Sequence, residues 1–268
     1  MRGFLNRLHQ RLARSSFAAR ACVLARNQAN CVIAWHLGES SDGAQNGEFQ
    51  VVEALLPHCA AFVDVGANVG DWSGHILSRR QARGILYEPS VECAGLLQKE
   101  FAGRDVRIRN VAVGKEKGTV SFVEEENCGA WSAVAETYQG TSGTARDVPM
   151  VTLDDELLAE DFPVDYLKID TEGYDLNVLK GAARLLRAGR VRFIQFEYNS
   201  HWLAARSTLH EAKSFLENEM GYRLVLIRST GLHPLAYDFW GEYYRYSNFL
   251  AYRAADAPLL QGLLREKI

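Results

Sequence analysis

Short apolar runs and amphipathic stretches alternate along the chain from residue 47 onward. The apolar runs are rich in β-branched and aromatic residues, as is typical of buried strands, and lie at 61–65, 85–88, 106–109, 165–170, 191–197, 222–228 and 247–252. Helical spacing of apolar positions predicts helices at 47–56, 91–101, 176–188 and 209–220. The alternation predicts an α/β fold built on a doubly wound sheet.

One part of the chain departs from this alternation. Residues 119–123 alternate like an antiparallel strand. The following residues, 124–149, are polar and contain clusters of Gly and Thr, which predicts a mobile insertion.

A glycine-rich turn follows the first strand. Gly66, Asn68 and Gly70 lie between that strand and a helix that begins near Trp72, so the backbone there can approach a ligand closely. The second strand ends at Glu88, and a carboxylate at that tip suits the hydroxyls of a bound ribose. The sequence therefore predicts a cofactor that contains a nucleoside, in preference to an ordinary turn without a ligand.

The same turn argues against a dinucleotide. Asn68 stands where the NAD-binding pattern has its second Gly, which lets a pyrophosphate rest on the backbone. Asp64 and Asp71 add negative charge, which repels a pyrophosphate but suits the ammonium and sulfonium groups of S-adenosylmethionine (SAM). SAM is therefore the predicted cofactor, and an NAD-dependent oxidoreductase is disfavoured.

Three blocks of sequence resemble one known family. They lie at 63–70 (VDVGANVG), at 87–90 (YEPS) and at 167–182, which contains LKIDTEGYD and VLKGA. Over roughly residues 45–252 the chain resembles the FkbM family of SAM-dependent methyltransferases. The resemblance implies a class I SAM-methyltransferase (Rossmann-like) fold of seven strands with the last antiparallel. It also implies O-methylation of a hydroxyl on a sugar, glycan or natural-product acceptor.

Polar residues follow the carboxyl ends of five predicted strands, which is where open α/β sheets bind ligands. The predicted cofactor-binding residues are Asp64, Gly66, Asn68, Gly70, Asp71, Glu88, Asn110, Ala112 and Asp170. Among these, the backbone of Asn110 and Ala112 is expected at the adenine edge. The predicted catalytic residues are Asp170, Glu172, Glu197 and His201.

A hydroxyl acceptor is a weak nucleophile and needs a positioned base or a metal ion. Neighbouring carboxylates raise one another's pKa, which suits a general base among the predicted catalytic residues. In the alternative, Asp170, Glu197 and either Asn199 or His201 would hold Mg²⁺ against the acceptor oxygen. The sequence leaves the two mechanisms open.

Aromatic residues crowd the segment 233–249, and Trp131 and Trp202 lie elsewhere in the chain. Such residues suit stacking against a sugar acceptor, a homodimer interface or cover for a sheet edge. The sequence does not separate these three roles.

Overall charge and cysteine content bear on the partners of the protein and on its cellular compartment. The net charge of −3 and the pI near 6.2 disfavour nucleic acid as the main partner. The chain has no run of roughly 18 apolar residues that would predict a membrane span. Its five cysteines are widely spaced and lack metal-site spacing, which predicts reduced thiols in a cytoplasmic protein.

Charge also divides the chain into a basic helical extension, residues 1–45, and a methyltransferase domain, residues 46–268. Six Arg and no acidic residue occupy 1–38, which leaves 24 basic against 33 acidic residues, or −9, in the rest. Leucines and arginines occupy different faces of the first predicted helix: Leu5, Leu8 and Leu12, and Arg7, Arg11 and Arg14. Such a helix either packs on the domain or makes weak contact with an anionic membrane or acidic partner through about its first 15 residues.

Two further function classes are disfavoured. A nucleic-acid methyltransferase would carry an Asn-Pro-Pro-Tyr-like block after the fourth strand, and this chain has none. A SAM-binding partner or regulatory module without catalysis would not need the carboxylates at Asp170, Glu172 and Glu197.

Overall fold

Two β-sheets organise the protein, whose computed structural model describes residues 2–129, 131–160 and 162–265. The strands are β1 Ala61–Val65, β2 Arg83–Tyr87, β3 Val106–Arg109, β4 Ala112–Val113, β5 Gly118–Glu124, β6 Ala133–Val134, β7 Thr144–Val151, β8 Val164–Ile169, β9 Val191–Tyr198, β10 Tyr222–Arg228, β11 Gly231–Pro234 and β12 Ser247–Arg253. The large sheet has the order β11-β10-β12-β9-β8-β1-β2-β3, and the small sheet has the order β4-β7-β5-β6.

Eleven α-helices connect these strands within the described residues. They are α1 Arg2–Ala13, α2 Ser16–His36, α3 Gly43–Asn46, α4 Glu48–Leu55, α5 Asp71–Leu77, α6 Val91–Glu100, α7 Leu153–Leu157, α8 Asp175–Lys180, α9 Ala183–Arg187, α10 Leu209–Ser214 and α11 Tyr237–Trp240. Short 3₁₀ segments lie at Leu56–His58, Ser200–Leu203 and Ala254–Leu260, and a π-helical turn at Phe215–Glu219 extends α10.

The predicted seven-strand sheet is confirmed. Strands β1, β2, β3, β8 and β9 run parallel, and β12 is antiparallel to both β9 and β10. An eighth strand, β11, which the sequence did not predict, pairs with β10 at the edge. The order of the chain across the sheet reverses between β1 and β8, so their carboxyl ends form the crevice at which such sheets bind ligands.

Helices cover both faces of the large sheet, which explains why its central strands are apolar on both sides. Every residue of β1 is buried. Phe62 packs with residues of α4, α5 and α6, whereas Val63 and Val65 pack with residues of α7 to α10. This three-layer arrangement holds the strand ends in fixed positions relative to one another.

The region expected to be a mobile insertion is instead part of the small sheet. Strand β5 pairs along its whole length with β7, and residues 133–134 add a third strand. Phe122, Val134, Val148 and Met150 form an apolar cluster with Tyr174. The prediction was wrong because β6 is too short, and β7 too polar, to produce a recognisable alternation.

The helix predicted at 176–188 is two helices, α8 and α9, that meet at Gly181. A Cβ at Gly181 would collide with the carbonyl oxygen of Gly114 at the end of β4. Glycine therefore allows the end of β4 to approach the junction of α8 and α9 closely.

The N-terminal helices lie mostly apart from the two sheets. Residues 3–17 are exposed throughout, so α1 does not pack on the domain. Only the end of α2 is anchored: Ala34 and Leu37 are buried, and Arg245 forms a two-pronged ion pair with Glu39. Among the described residues, no helix is long and apolar enough to cross a membrane. The division of the chain at residue 45 stays a prediction.

Gly66, directly after β1, is the residue that the close approach between this turn and the end of β8 requires. Its φ is +82°, and a Cβ would collide with the backbone oxygen of Asp170. Gly103 has a similar φ of +78° but open space around it. We expect Gly103→Ala to lower the free energy of unfolding by about 1–2 kcal/mol, the cost of the left-handed backbone.

Gly66→Ala adds the collision to that cost, so its loss should exceed about 4 kcal/mol. Urea unfolding, monitored by circular dichroism, measures the free energy of unfolding of both variants. Equal losses would show that the close approach to Asp170 does not constrain the turn.

Candidate active site

Two adjoining cavities open at the carboxyl ends of β1, β2, β8 and β9. The apolar cavity is lined mainly by Tyr87, Glu88, Pro89, Val111, Ala112, Val113, Phe122, Val134 and Tyr174. The acidic cavity is lined mainly by Asp42, Glu48, Phe49, Asp64, Asp71, Trp72, Lys168, Glu197 and Tyr246. Gly66, Asn68, Asp170 and Glu172 border both, so these four residues mark the junction.

Glu88 is held rigidly at the wall of the apolar cavity. Its two carboxylate oxygens accept hydrogen bonds from the backbone N–H groups of Asn68, at 2.8 Å, and Ser90, at 2.7 Å. Burial raises the pKa of Glu88 to about 7, although these two N–H donors oppose the shift. A carboxylate has more lone pairs than these two bonds use, so Glu88 can still accept bonds from hydroxyl groups.

The remaining residues of the glycine-rich turn have different surroundings. Asn68 adopts a positive φ of 48° that aims its N–H at Glu88, and Gly70 caps α5. Asp64 is fully buried and accepts a 2.6 Å hydrogen bond from Ser73 Oγ, but its Oδ1 has no partner among the described residues. Asp71 is exposed at the start of α5 and borders the acidic cavity.

Asn110 does not border either cavity, although Ala112 does. The side-chain amide of Asn110 donates to the carbonyl oxygens of Glu88, Pro89 and Ser90, at 2.8, 2.9 and 3.1 Å. Asn110 therefore braces the loop that carries Glu88, and the wall next to it comes from Val111 to Val113.

The three predicted catalytic carboxylates converge at the junction. One oxygen each from Asp170, Glu172 and Glu197 lies within 4.8 Å of the others. Lys168, a residue to which the sequence assigned no role, places its ammonium 2.7 Å from Asp170. Burial alone would lower the pKa of Lys168, but Asp170, Asp64 and Glu48 together raise it above the usual range. The ammonium therefore stays charged inside the protein.

His201, the fourth predicted catalytic residue, lies behind Glu172 and borders neither cavity. Its Nδ1 lies 2.9 Å from Glu172 Oε2, and the ring of Trp131 meets it edge-on. Asn199 donates its amide to Glu197 and, at 3.4 Å, to Glu172. Burial raises the pKa of both Glu172 and Glu197, and the His201 contact opposes this for Glu172.

Sequence reasoning also missed Glu48, which borders the acidic cavity. The buried Glu48 carboxylate accepts hydrogen bonds from the amides of Asn46, Gln195 and Asn248, at 2.6, 2.6 and 2.8 Å. No local pattern marks Glu48, because two of its three partners, Gln195 and Asn248, come from distant parts of the chain. Lys168 did carry a signal, since it stands two residues before Asp170 and therefore on the same side of the strand.

The candidate acceptor-stacking residues mostly lie elsewhere. Trp202 is fully buried and donates its Nε1–H to the carbonyl oxygen of Glu197, which rules out contact with an acceptor. Trp240 packs against His36 and Phe239. Within the described part of the aromatic segment, Tyr246 is the residue that borders the acidic cavity.

The prediction that all cysteines are reduced is wrong for Cys93 and Cys128, which form a disulfide with their Cα atoms 5.7 Å apart. The bond joins α6 to the loop after β5, across 35 residues of sequence, a separation that hides their proximity. The carbonyl oxygen of Cys128 also accepts from the Asn68 amide at 3.4 Å. The disulfide thus fastens this loop beside the glycine-rich turn. Cys22, Cys31 and Cys59 are free.

The raised pKa of Glu88 predicts a pH dependence for binding of S-adenosylhomocysteine. An ionised carboxylate accepts hydroxyl hydrogen bonds better than a protonated one, so affinity should rise with pH through about 7. Between about pH 6 and about pH 8 we expect a gain of roughly tenfold, measured by isothermal titration calorimetry.

Two variants control this measurement. Glu88→Ala should bind weakly at every pH and lose the slope. Glu100→Ala removes an exposed carboxyl at the end of α6 and should bind like the unmodified protein. A slope that survives in Glu88→Ala would assign the titration to another group.

The protein is similar to several solved structures. Similar solved structures include plantazolicin methyltransferase BpumL in complex with SAH, at 11% identity over 91% of this chain and 93% of that chain, with a TM-score of 0.44. Magnesium protoporphyrin IX methyltransferase (ChlM) from Synechocystis PCC 6803 with bound SAM shares 10% identity over 78% of this chain and 80% of that chain, with a TM-score of 0.39. An rRNA methylase from Streptococcus thermophilus shares 8% identity over 78% and 97%, with a TM-score of 0.41. No curated protein matches the sequence significantly.

A family model described as "Methyltransferase FkbM domain" matches residues 64–224, which is more than half of the chain. The matched region begins at Asp64 and contains the glycine-rich turn, Glu88 and the three converging carboxylates. This match confirms the resemblance noted in the sequence blocks. The chain belongs to the FkbM family of methyltransferases.

Proposed function

We propose that this methyltransferase transfers the methyl group of SAM to a hydroxyl of a sugar, glycan or natural-product acceptor. One observation carries the proposal: an apolar cavity and an acidic cavity meet at Asp170 and Glu172. The first suits a nucleoside, the second suits a polar acceptor, and a reacting methyl group belongs at their junction.

Several residues fit SAM in the apolar cavity. Glu88 offers acceptor oxygens for ribose hydroxyls, and Val111 to Val113 with Phe122 offer an apolar slot for a base. The carboxylate of Asp170 lies next to the turn, where negative charge favours a cationic ligand. Asp64 has a buried oxygen without a partner among the described residues, although burial raises the pKa of this carboxyl. When bound, SAM supplies an electrophilic methyl group on a sulfonium.

The acidic cavity supports a hydroxyl-bearing acceptor. Its carboxylate oxygens accept hydrogen bonds from hydroxyl groups, and Phe49 and Tyr246 offer faces for a sugar ring. A cationic amine would also suit this charge, so methylation of another acceptor class is the second candidate. A SAM-binding module without turnover is the third.

Glu172 is the base that the geometry favours. It borders both cavities, and burial raises its pKa towards the range in which a carboxylate removes a proton effectively. His201 Nδ1, 2.9 Å away, holds the carboxylate in place from behind. Glu172 also has a positive φ of 49°, a conformation that non-glycine residues keep mainly where the surrounding structure enforces it.

Asp170 has a different role because Lys168 holds it. Its carboxylate lies 2.7 Å from the ammonium, and this ion pair fixes the position of the carboxylate at the junction. We assign Asp170 to orienting the reacting groups and Glu172 to accepting the proton.

A metal version of the mechanism uses nearly the same residues. Oxygens of Asp170, Glu172 and Glu197 are close enough to bind one Mg²⁺. His201 and Asn199, the alternative ligands from sequence, already contact Glu172 and Glu197. The Lys168 ammonium favours the metal-free version, because it already supplies a positive charge to Asp170.

The first test of the proposal is an acceptor screen that follows S-adenosylhomocysteine release from SAM. Sugars, glycosides and amines of matched size are compared. Turnover with hydroxyl acceptors would support O-methylation. Turnover confined to amines would support methylation of another acceptor class. Tight binding of SAM without any turnover would support a SAM-binding module.

Substituting the junction carboxylates should separate their roles. Glu172→Gln should lower kcat by about 10²–10⁴-fold, the usual contribution of a general base, and leave the affinity for S-adenosylhomocysteine nearly unchanged. Asp170→Asn should abolish turnover without unfolding the protein. Glu126→Gln, an exposed carboxyl on the loop after β5, is the control and should keep full activity. Unchanged turnover in either junction variant would remove that residue from the mechanism.

Chelation separates the metal-free mechanism from the metal version. Because Lys168 supplies the positive charge at Asp170, we expect full turnover after incubation with EDTA. The measurement is the initial rate before and after EDTA, with Mg²⁺ then added back. Loss of activity that Mg²⁺ restores would establish the metal version instead.

A further inference from the structure

Large apolar side chains are exposed along α1 and α2. In α1, Phe4 is 69% exposed and Leu8 is 42% exposed. In α2, the exposed fractions are 83% for Phe17, 66% for Leu24 and 71% for Trp35. Residues of these types are usually buried, so a continuous series of them indicates a surface that is covered in the working protein.

The exposed apolar residues lie in stripes. Phe17, Leu24 and Trp35 follow one another at spacings of seven and eleven residues, close to whole turns of α2, so they share one face. Phe4, Leu8 and Leu12 share a face of α1 in the same way. Only the last turn of α2 is anchored, through Ala34 and Leu37, so both stripes remain accessible.

Charge selects among possible partners for these stripes. Six Arg and no acidic residue occupy residues 1–38, and Arg7, Arg11 and Arg14 flank the stripe of α1. A second copy of the same two helices would bring arginines next to arginines, which is unfavourable. An anionic lipid surface complements the charge and also accepts the apolar side chains.

We propose that α1 and α2 form a peripheral membrane anchor that lies on anionic lipid, with Phe4, Phe17 and Trp35 entering the interface and the arginines contacting the headgroups. Neither helix spans the bilayer. The anchor is independent of the methyl-transfer chemistry, and it would bring the acidic cavity close to acceptors held at the membrane.

Vesicle flotation tests the anchor with the full chain. The probe vesicles contain phosphatidylcholine and phosphatidylglycerol in equal amounts, and vesicles of phosphatidylcholine alone are the neutral comparison. We expect binding to the anionic vesicles only, with a steep loss as salt is raised. The same preparation is assayed for S-adenosylhomocysteine binding, which shows that each variant is folded.

Two comparisons test whether α1 and α2 make the contact with the vesicle. Each compares a change in or beside these helices with the same type of change on the domain. Arg7→Gln, Arg11→Gln and Arg14→Gln together should lower the vesicle partition coefficient by roughly a hundredfold. Arg104→Gln, Arg187→Gln and Arg223→Gln remove the same charge from exposed sites on the domain and should change it little. Phe17→Ser should weaken binding, whereas Phe239→Ser, which replaces a Phe that is 78% exposed on the domain, should not.

Three results would overturn the anchor. The first is that the protein binds both kinds of vesicle equally or binds neither. The second is that, in each matched pair, the variant in the helices and its control on the domain lose the same amount of vesicle binding. The third is a dimer in sedimentation velocity that Phe17→Ser dissociates, because the stripes would then belong to an interface between two copies.

Discussion

The buried ammonium of Lys168 is the interaction on which the active site depends. It lies at the end of β8, where Asp64, Asp170 and Glu48 all act on its pKa in the same direction. Removing an ionised carboxylate from water costs several kcal/mol unless a partner of opposite charge compensates. Because Lys168 compensates for more than one of these groups, the fold can bring the carboxyl ends of β1, β8 and β9 together in spite of the negative charge that they carry.

A single cation cannot neutralise every carboxylate around it, so the carboxylates of the site differ in their partners and in their pKa. Asp170 is in direct contact with the ammonium. Glu172 contacts His201 and Asn199, Glu197 contacts Asn199, and burial raises the pKa of both carboxyls. Within one small volume, one carboxylate is therefore in contact with a cation while two others have a raised pKa that suits proton exchange, which is a common arrangement in enzymes.

The sequence predicted the parts of this structure that depend on local patterns. The alternation of strands and helices, the turn at Gly66 and the position of Glu88 follow from periodicity and from the spacing of glycine and carboxylate. The seven-strand sheet with an antiparallel last strand was implied by the family resemblance. The sequence did not predict interactions between distant segments. The brace by Asn110, the disulfide between Cys93 and Cys128 and the placement of His201 behind Glu172 depend on tertiary contacts that leave no periodic signal.

The state of Glu88 has a thermodynamic consequence for ligand exchange. With a pKa of about 7 before a ligand binds, the Glu88 carboxyl is roughly half protonated near neutral pH. A ligand that binds only the ionised form therefore displaces about half a proton into the solvent at each binding event. The apparent enthalpy of binding should then vary with the ionisation enthalpy of the buffer. When the product leaves, the Glu88 carboxyl takes up that proton again. Exchange of S-adenosylhomocysteine for SAM therefore causes no net release or uptake of protons at Glu88.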